Sequence, residues 1–170
     1  ESSVTIDILE KMMDSKIDEE IIIDTINNIL MLKSSDEMFS TLDLAMVDLN
    51  KGILNTIKMG ACSTYIKRDN GDIELISTES LPVGILSDVN IERDSRKLKD
   101  GDYIIMVSDG IIDAGKNKNL GDNWLIYFLK NLDISNPKDI SKDILNKALD
   151  IQNDNIYDDM TVLVSKIYKN

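Results

Sequence analysis

The chain reads as an α+β domain built on antiparallel sheet. Three features of the pattern carry that reading. Apolar residues recur at helical spacing over roughly the first 33 positions, the period shortens towards two from about residue 41, and helical spacing returns after residue 122 ahead of a last β-rich run. Strands arranged in hairpins, with helices gathered at the start and near the end, give an α+β layout with no internal repeat.

The elements follow in order. Val4, Ile8, Leu9, Met12 and Met13 predict a first helix, its methionines forming a packing stripe. Ile22, Ile26, Ile29 and Leu30 predict a second helix, with Ser15 or Asp18 available as its cap. The β-rich run 41–49 closes at Asn50-Lys51-Gly52, and 53–59 is its hairpin partner. Gly60 then reads as a bulge or strand corner. Asp69-Asn70-Gly71 between the runs 63–68 and 72–76 is the strongest short-range hairpin signal in the chain. Leu81-Pro82-Val83-Gly84-Ile85 is a loop, and a weak strand is predicted over 89–93.

The turn at 99–102 launches the clearest strand, Tyr103-Ile104-Ile105-Met106-Val107, apolar throughout and so expected to be buried on both faces. It ends at Ser108-Asp109-Gly110, read as a turn. Asp122 or Asn123 caps a helix through Trp124, Leu125, Phe128 and Leu129, in which Trp124 is a core or interface residue. Pro137 sits in the first turn of another helix, with Ile140, Ile144, Leu145, Ala148 and Ile151 on one face. The last strand spans 161–167.

Composition limits the chemistry. With 42% apolar and 29% charged residues the chain is globular, and no apolar run approaches the roughly 20 residues of a spanning helix. A net charge of −12 argues against a nucleic-acid partner, which needs clustered cations to displace counterions. The absence of histidine excludes Ser-His-Asp and Cys-His catalysis. The single cysteine, Cys62, is expected to be a small buried side chain that fits a reducing compartment. A first residue Glu1 without a leader marks a piece of a longer chain.

Two acidic sites stand out. Asp109 follows directly on the buried strand, and Asp158-Asp159 immediately precede the last one. If those strands are antiparallel neighbours, the carboxylates converge on one rim. Clustered negative charge there calls for a cation, and oxygen ligands alone select a hard one, Mg²⁺ or Mn²⁺, which acidifies a bound water. Gly110 lets backbone and substrate approach closely. The plain alternative is that Asp-Gly after a strand is a common turn and Asp-Asp before a strand a polar boundary.

The stretch from Tyr103 to Gly110, together with Asp158-Asp159-Met160-Thr161-Val162, resembles the two C-terminal metal motifs of the metal-dependent type 2C protein serine/threonine phosphatases. Met59-Gly60, Lys67-Arg68 and Leu81-Pro82-Val83-Gly84-Ile85 resemble their bacterial branch of sigma-factor regulators. Phe39-Ser40-Thr41-Leu42-Asp43-Leu44-Ala45 and the opening Glu1-Ser2 resemble its sporulation members. The likeness covers nearly the whole chain in one order.

The resemblance implies two antiparallel sheets sandwiched between helices, N-terminally truncated, in one domain fragment spanning 1–170. Residues 1–35 would be helical and regulatory or dimerising, through which the chain could pair with a second copy, and 36–170 the sandwich. It implies two Mn²⁺ or Mg²⁺ ions in the complete domain, holding a water in line with the phosphorus of a phosphoserine or phosphothreonine. Asp109 and Asp158 would be metal ligands, Asp159 an alternative or supporting ligand, the Gly110 carbonyl a contributor, and Thr161 and Gly60 supporting residues. The substrate would be a phosphorylated anti-anti-sigma factor in the cytoplasm, the parent protein being anchored in a membrane, if at all, by segments upstream.

Two departures qualify this. An Asp-Gly-Met-Gly motif is expected about ten residues before Glu1, so the fragment as given should bind Mn²⁺ weakly and turn over little. Ala61-Cys62 stand where many bacterial relatives carry a histidine. The rival reading is a non-catalytic regulatory or dimerisation module with a vestigial metal site.

Overall fold

The computed structural model describes residues 2–32, 39–87, 90–116, 121, 123–133, 136–153 and 157–168. Among them run α1 (Ser2–Asp14), α2 (Glu19–Leu32), β1 (Leu42–Asp48), β2 (Ile53–Met59), β3 (Thr64–Lys67), β4 (Ile73–Ile76), β5 (Glu92–Lys97), β6 (Tyr103–Val107), α3 (Asp109–Lys116), α4 (Trp124–Lys130), α5 (Pro137–Gln152) and β7 (Val162–Lys166). The strands form two antiparallel sheets, of order β1-β2-β5 and β4-β3-β6-β7. The chain divides into two compact units, 1–47 with 55–61 and 78–95, and 48–54 with 62–77 and 96–170.

In the first unit α2 buries Ile22, Ile23, Ile26 and Leu30 against Leu42, Ile57, Met59 and Val83, with Ile8, Leu9 and Met12 of α1 packed alongside. Met13, counted with the same stripe, is exposed. Asp18 is the cap of α2, its carboxylate accepting the Glu20 amide at 2.9 Å, whereas the Ser15 hydroxyl donates back to the Lys11 carbonyl. Asn27 is buried in α2 and ties down the 84–86 loop: it accepts the Gly84 amide at 2.7 Å and donates to the Leu86 carbonyl at 2.9 Å. Gly60 follows β2 with φ +61°, and an added Cβ would overlap the Pro82 ring, so the corner needs glycine. Lys58 of β2 is buried and pairs with Asp43 at 2.6 Å.

In the second unit the four-stranded sheet contains the hairpin expected about 69–71 and pairs β6 with both β3 and β7. Thr64 pairs with Ile76 and Lys67 with Ile73 across the 69–71 turn, Tyr65 pairs with Ile105, and Val107 pairs with Val162. Helices α3 to α5 cover it with Ile111, Ala114, Trp124, Leu125, Leu129, Ile140, Ile144 and Ala148, packed on Tyr65, Tyr103, Ile105 and Val107. This burial accounts for the apolar Tyr103, Ile105 and Val107 of β6; on the alternate positions Ile104 is buried as well and Met106 is half-buried. Asn136 caps α5 by accepting the Lys138 amide at 2.9 Å, with Pro137 at the start of the helix.

Several expectations need correction. The strand predicted over 89–93 lies at Glu92–Lys97, because pairing to β2 and not side-chain burial makes this polar segment extended; Val89 is outside the described residues. Asn123 occupies the N-cap position of α4 in a helical conformation, and its side chain caps nothing; Asp122 is outside the described residues, as are Glu1 and the side chain of Val4. The segment 108–110 is not a turn, since Asp109 starts a helix held by its buried Ile111 and Ala114. Cys62 is half-buried, its position between β2 and β3 lying off the core-facing ladder.

Candidate metal centre

The rim is assembled by the end of β6 and the start of β7. Their antiparallel ladder closes at Val107 opposite Val162, so the residues that follow one strand and precede the other must emerge together. The Ser108 amide continues the ladder by donating to the Thr161 carbonyl at 3.0 Å. The Ser108 hydroxyl donates to the Asp159 carbonyl at 3.0 Å and accepts the Thr161 amide at 2.9 Å. Gly110 then presses its Cα against the same loop. A Cβ there would overlap the Asp159 carbonyl oxygen and lie 3.3 Å from that of Asp158, which accounts for glycine at this place.

Asp109, Asp158 and Asp159 are all exposed at this edge. Asp109 sits in the first turn of α3, where the helix N-terminus favours negative charge, and its Oδ1 accepts the Gly110 amide at 3.0 Å. Asp158 accepts the Asp159 amide at 2.8 Å, which orients it in the same local way. Five of the expected residues, Asp109, Gly110, Asp158, Asp159 and Thr161, thus belong to one rim. Gly60 lies in the first unit beside Pro82. Ser108 was not among the sequence candidates; its one sequence signal was its place between the buried strand and Asp109.

Carboxylate and carbonyl oxygens are donors suited to a hard divalent ion, and the Asp158 and Asp159 carbonyls lie directly against Gly110, next in the chain to Asp109. The residues present therefore fit one side of such a site. Among the described residues no three acidic or thiol side chains come together as a metal cluster.

At the opposite end of the same sheet a cleft is bordered by Lys67, Arg68, Lys130 and Lys166. Three of these cations have partners inside the chain. The Lys67 ammonium, pushed below the usual lysine range by burial and partly restored by Asp133, donates to the Leu129 carbonyl at 2.6 Å and so satisfies the end of α4. Arg68 grips Glu74 with two hydrogen bonds of 2.7 Å and pairs with buried Asp102. Its guanidinium holds Glu74 below the ordinary carboxylate range, and Glu74 in turn raises Arg68. Lys166 lies over the rings of Tyr103 and Tyr168.

Comparison with known proteins gives the family context of this geometry. The profile of the family described as Stage II sporulation protein E (SpoIIE) matches residues 1–168. Stage II sporulation protein E of Bacillus subtilis (strain 168) is 38% identical over 170 residues, all of this chain and 20% of that protein. Among solved structures, the PP2C phosphatase domain with a fragment of the regulatory domain of the cell fate determinant SpoIIE from B. subtilis superposes with a TM-score of 0.88 at 38% identity, over 98% of this chain and 50% of that one. The phosphatase domain of the same protein, presoaked with Mn, superposes with a TM-score of 0.71 at 38% identity, over 98% of this chain and 73% of that one. The chain spans a fifth of the curated B. subtilis relative it matches.

Proposed function

The chain belongs to the stage II sporulation protein E family, and from that premise we propose that it is the part of a type 2C phosphatase domain that supplies the Asp109 and Asp158 side of a metal-dependent protein serine/threonine phosphatase. The substrate is a phosphoserine or phosphothreonine on a phosphorylated anti-anti-sigma factor, whose dephosphorylation frees it to act in sporulation sigma-factor control. The observation that carries the reading is the meeting of Gly110 with the Asp158–Asp159 backbone, which joins two acidic segments distant in sequence at a single sheet edge.

Asp109 and Asp158 would hold Mn²⁺ or Mg²⁺ through carboxylate oxygens, Asp159 would supply a further or alternative oxygen, and the Gly110 carbonyl would contribute. The Mn presoak of the B. subtilis domain supports a divalent ion here. When bound, the ion supplies charge neutralisation for the phosphoryl group and acidification of water. The chain's own work is to fix these oxygens. The start of α3 holds the Asp109 backbone, the β6–β7 ladder sets the approach of the two segments, and Thr161 anchors the return of the chain into β7 through its amide and carbonyl.

Residues 1–35 form a regulatory or dimerising element in this reading, supported by Ile6, Met13 and Ile21 standing exposed on α1 and α2. Among the described residues no helix is long and apolar enough to cross a membrane. The rival, a non-catalytic module with a vestigial site, draws support from the lack of a three-ligand cluster among the described residues.

Phosphate release from a phosphorylated anti-anti-sigma factor by the full-length protein with Mn²⁺ separates the two. Asp109→Asn should lower turnover about a hundredfold with little change in thermal stability. Undiminished turnover would remove Asp109 from the site, and absence of any Mn²⁺-dependent release from the unmodified protein would favour the module.

A further inference from the structure

We propose that Ser108 is a positioning residue that sets the separation of Asp109 from Asp158 and Asp159, and through it the metal affinity of the rim; this rests on the metal reading above. The β6–β7 ladder can carry one more backbone bond past Val107, the Ser108 amide to the Thr161 carbonyl at 3.0 Å. The Ser108 carbonyl, which would return the bond to the Thr161 amide in a continuing ladder, instead accepts the Ile111 amide at 3.1 Å as the chain turns into α3. The Ser108 hydroxyl takes that role. It accepts the Thr161 amide at 2.9 Å and donates its own proton to the Asp159 carbonyl at 3.0 Å.

A hydroxyl carries one donor and can accept as well, so Ser108 engages both kinds of capacity on the one loop that bears the second acidic pair. That loop is then held from two sides. Ser108 fastens the Asp159 carbonyl, and Gly110 lets the α3 backbone close against the same oxygen. These two residues are the immediate chain neighbours of Asp109. The three carboxylates are exposed, and those of Asp109 and Asp158 each accept the next amide in the chain, so their mutual placement depends on the backbone beneath them. Groups that orient ligands in this way commonly alter metal affinity by tenfold or more when removed.

The test uses the full-length protein and a Mn²⁺ binding titration, with hydrogen exchange at the Thr161 amide as a readout independent of activity. Ser108→Ala should weaken Mn²⁺ binding about tenfold and lower protection of the Thr161 amide, and Ser108→Thr, which keeps the hydroxyl, should restore both. Turnover should show the loss as a higher Mn²⁺ requirement more than as a lower rate at saturating metal.

Unchanged affinity in Ser108→Ala while Asp109→Asn loses binding would overturn the role of Ser108 and leave the metal site standing. Equal losses in the Ala and Thr variants would also overturn it, since the hydroxyl would not be what matters. No loss in Asp109→Asn would fell the metal reading and this proposal with it. Should Ser108→Ala fail to fold, Ser108→Cys against Ser108→Thr makes the same comparison at near-native volume: loss in the Cys variant alone supports the proposal, and retention in both overturns it.

Discussion

Arg68 binds both oxygens of Glu74, the buried carboxylate of Asp102 and the Lys97 carbonyl. Asp102 also accepts the Lys99 amide at 2.7 Å, so the guanidinium neutralises a charge fixed at the turn into β6. Removing one partner of a buried pair leaves an uncompensated charge, and Arg68→Ala should cost about 3 kcal/mol at neutral pH by urea denaturation. The pH dependence follows from Glu74, whose folded-state pKa is lowered by Arg68. Its contribution is complete above the ordinary carboxylate range and is lost as pH falls through the lowered folded value. Arg68→Ala should therefore raise the pH at which acid unfolding begins, and an unshifted acid limb would show that Glu74 contributes nothing. Asp109 and Asp158 stood out in the sequence because each lies close to the end of a β-rich run. The pairing of Arg68 with Asp102 and the role of Ser108 did not, since those partners lie 34 and more than 50 residues away and only tertiary structure brings them close.

Among the elements, α4 is closed by backbone bonds to Phe128 and Leu129 and receives one further hydrogen bond from a neighbour. The ammonium of Lys67, from the end of β3, satisfies the Leu129 carbonyl inside the protein. Lys67→Met keeps the aliphatic stem and removes the ammonium donor from that carbonyl, which retains the Leu132 amide at 3.4 Å, with an expected loss of about 1 kcal/mol and faster amide exchange in the last turn of α4. Unaltered exchange there would mean that the bond carries no weight. The elements most readable in advance were those whose pattern is local: the 69–71 hairpin, β6, and α5 with Pro137 in its first turn. Helix α3 was not readable, because eight residues containing Gly110 and Gly115 have little intrinsic helix preference and are helical through the burial of Ile111 and Ala114. Strand β5 was misplaced for the converse reason. Its sequence, ERDSRK, carries no apolar alternation, and sheet pairing alone extends it.

For the whole molecule, the sequence pattern indicated the α+β class, the neighbouring of β6 and β7 was a condition that only the structure met, and the resemblance supplied the phosphatase fold that the B. subtilis structures share. What this topology does is bring residue 109 beside residues 158 and 159, across the whole of α3, α4 and α5, at one edge of one sheet. A chain carrying a net charge of −12 has acidic groups everywhere, so the acidity of that edge carries no information without the convergence. If the edge holds a single ion, its ligands act as a unit. A double-mutant cycle of Mn²⁺ affinity in the full-length protein, with Asp109→Asn, Asp158→Asn and the two combined, tests this most directly. Each single variant should lose most of the binding and the double variant little more. Losses that simply add, or single variants that bind Mn²⁺ as the unmodified protein does, would contradict a shared ion between the two segments.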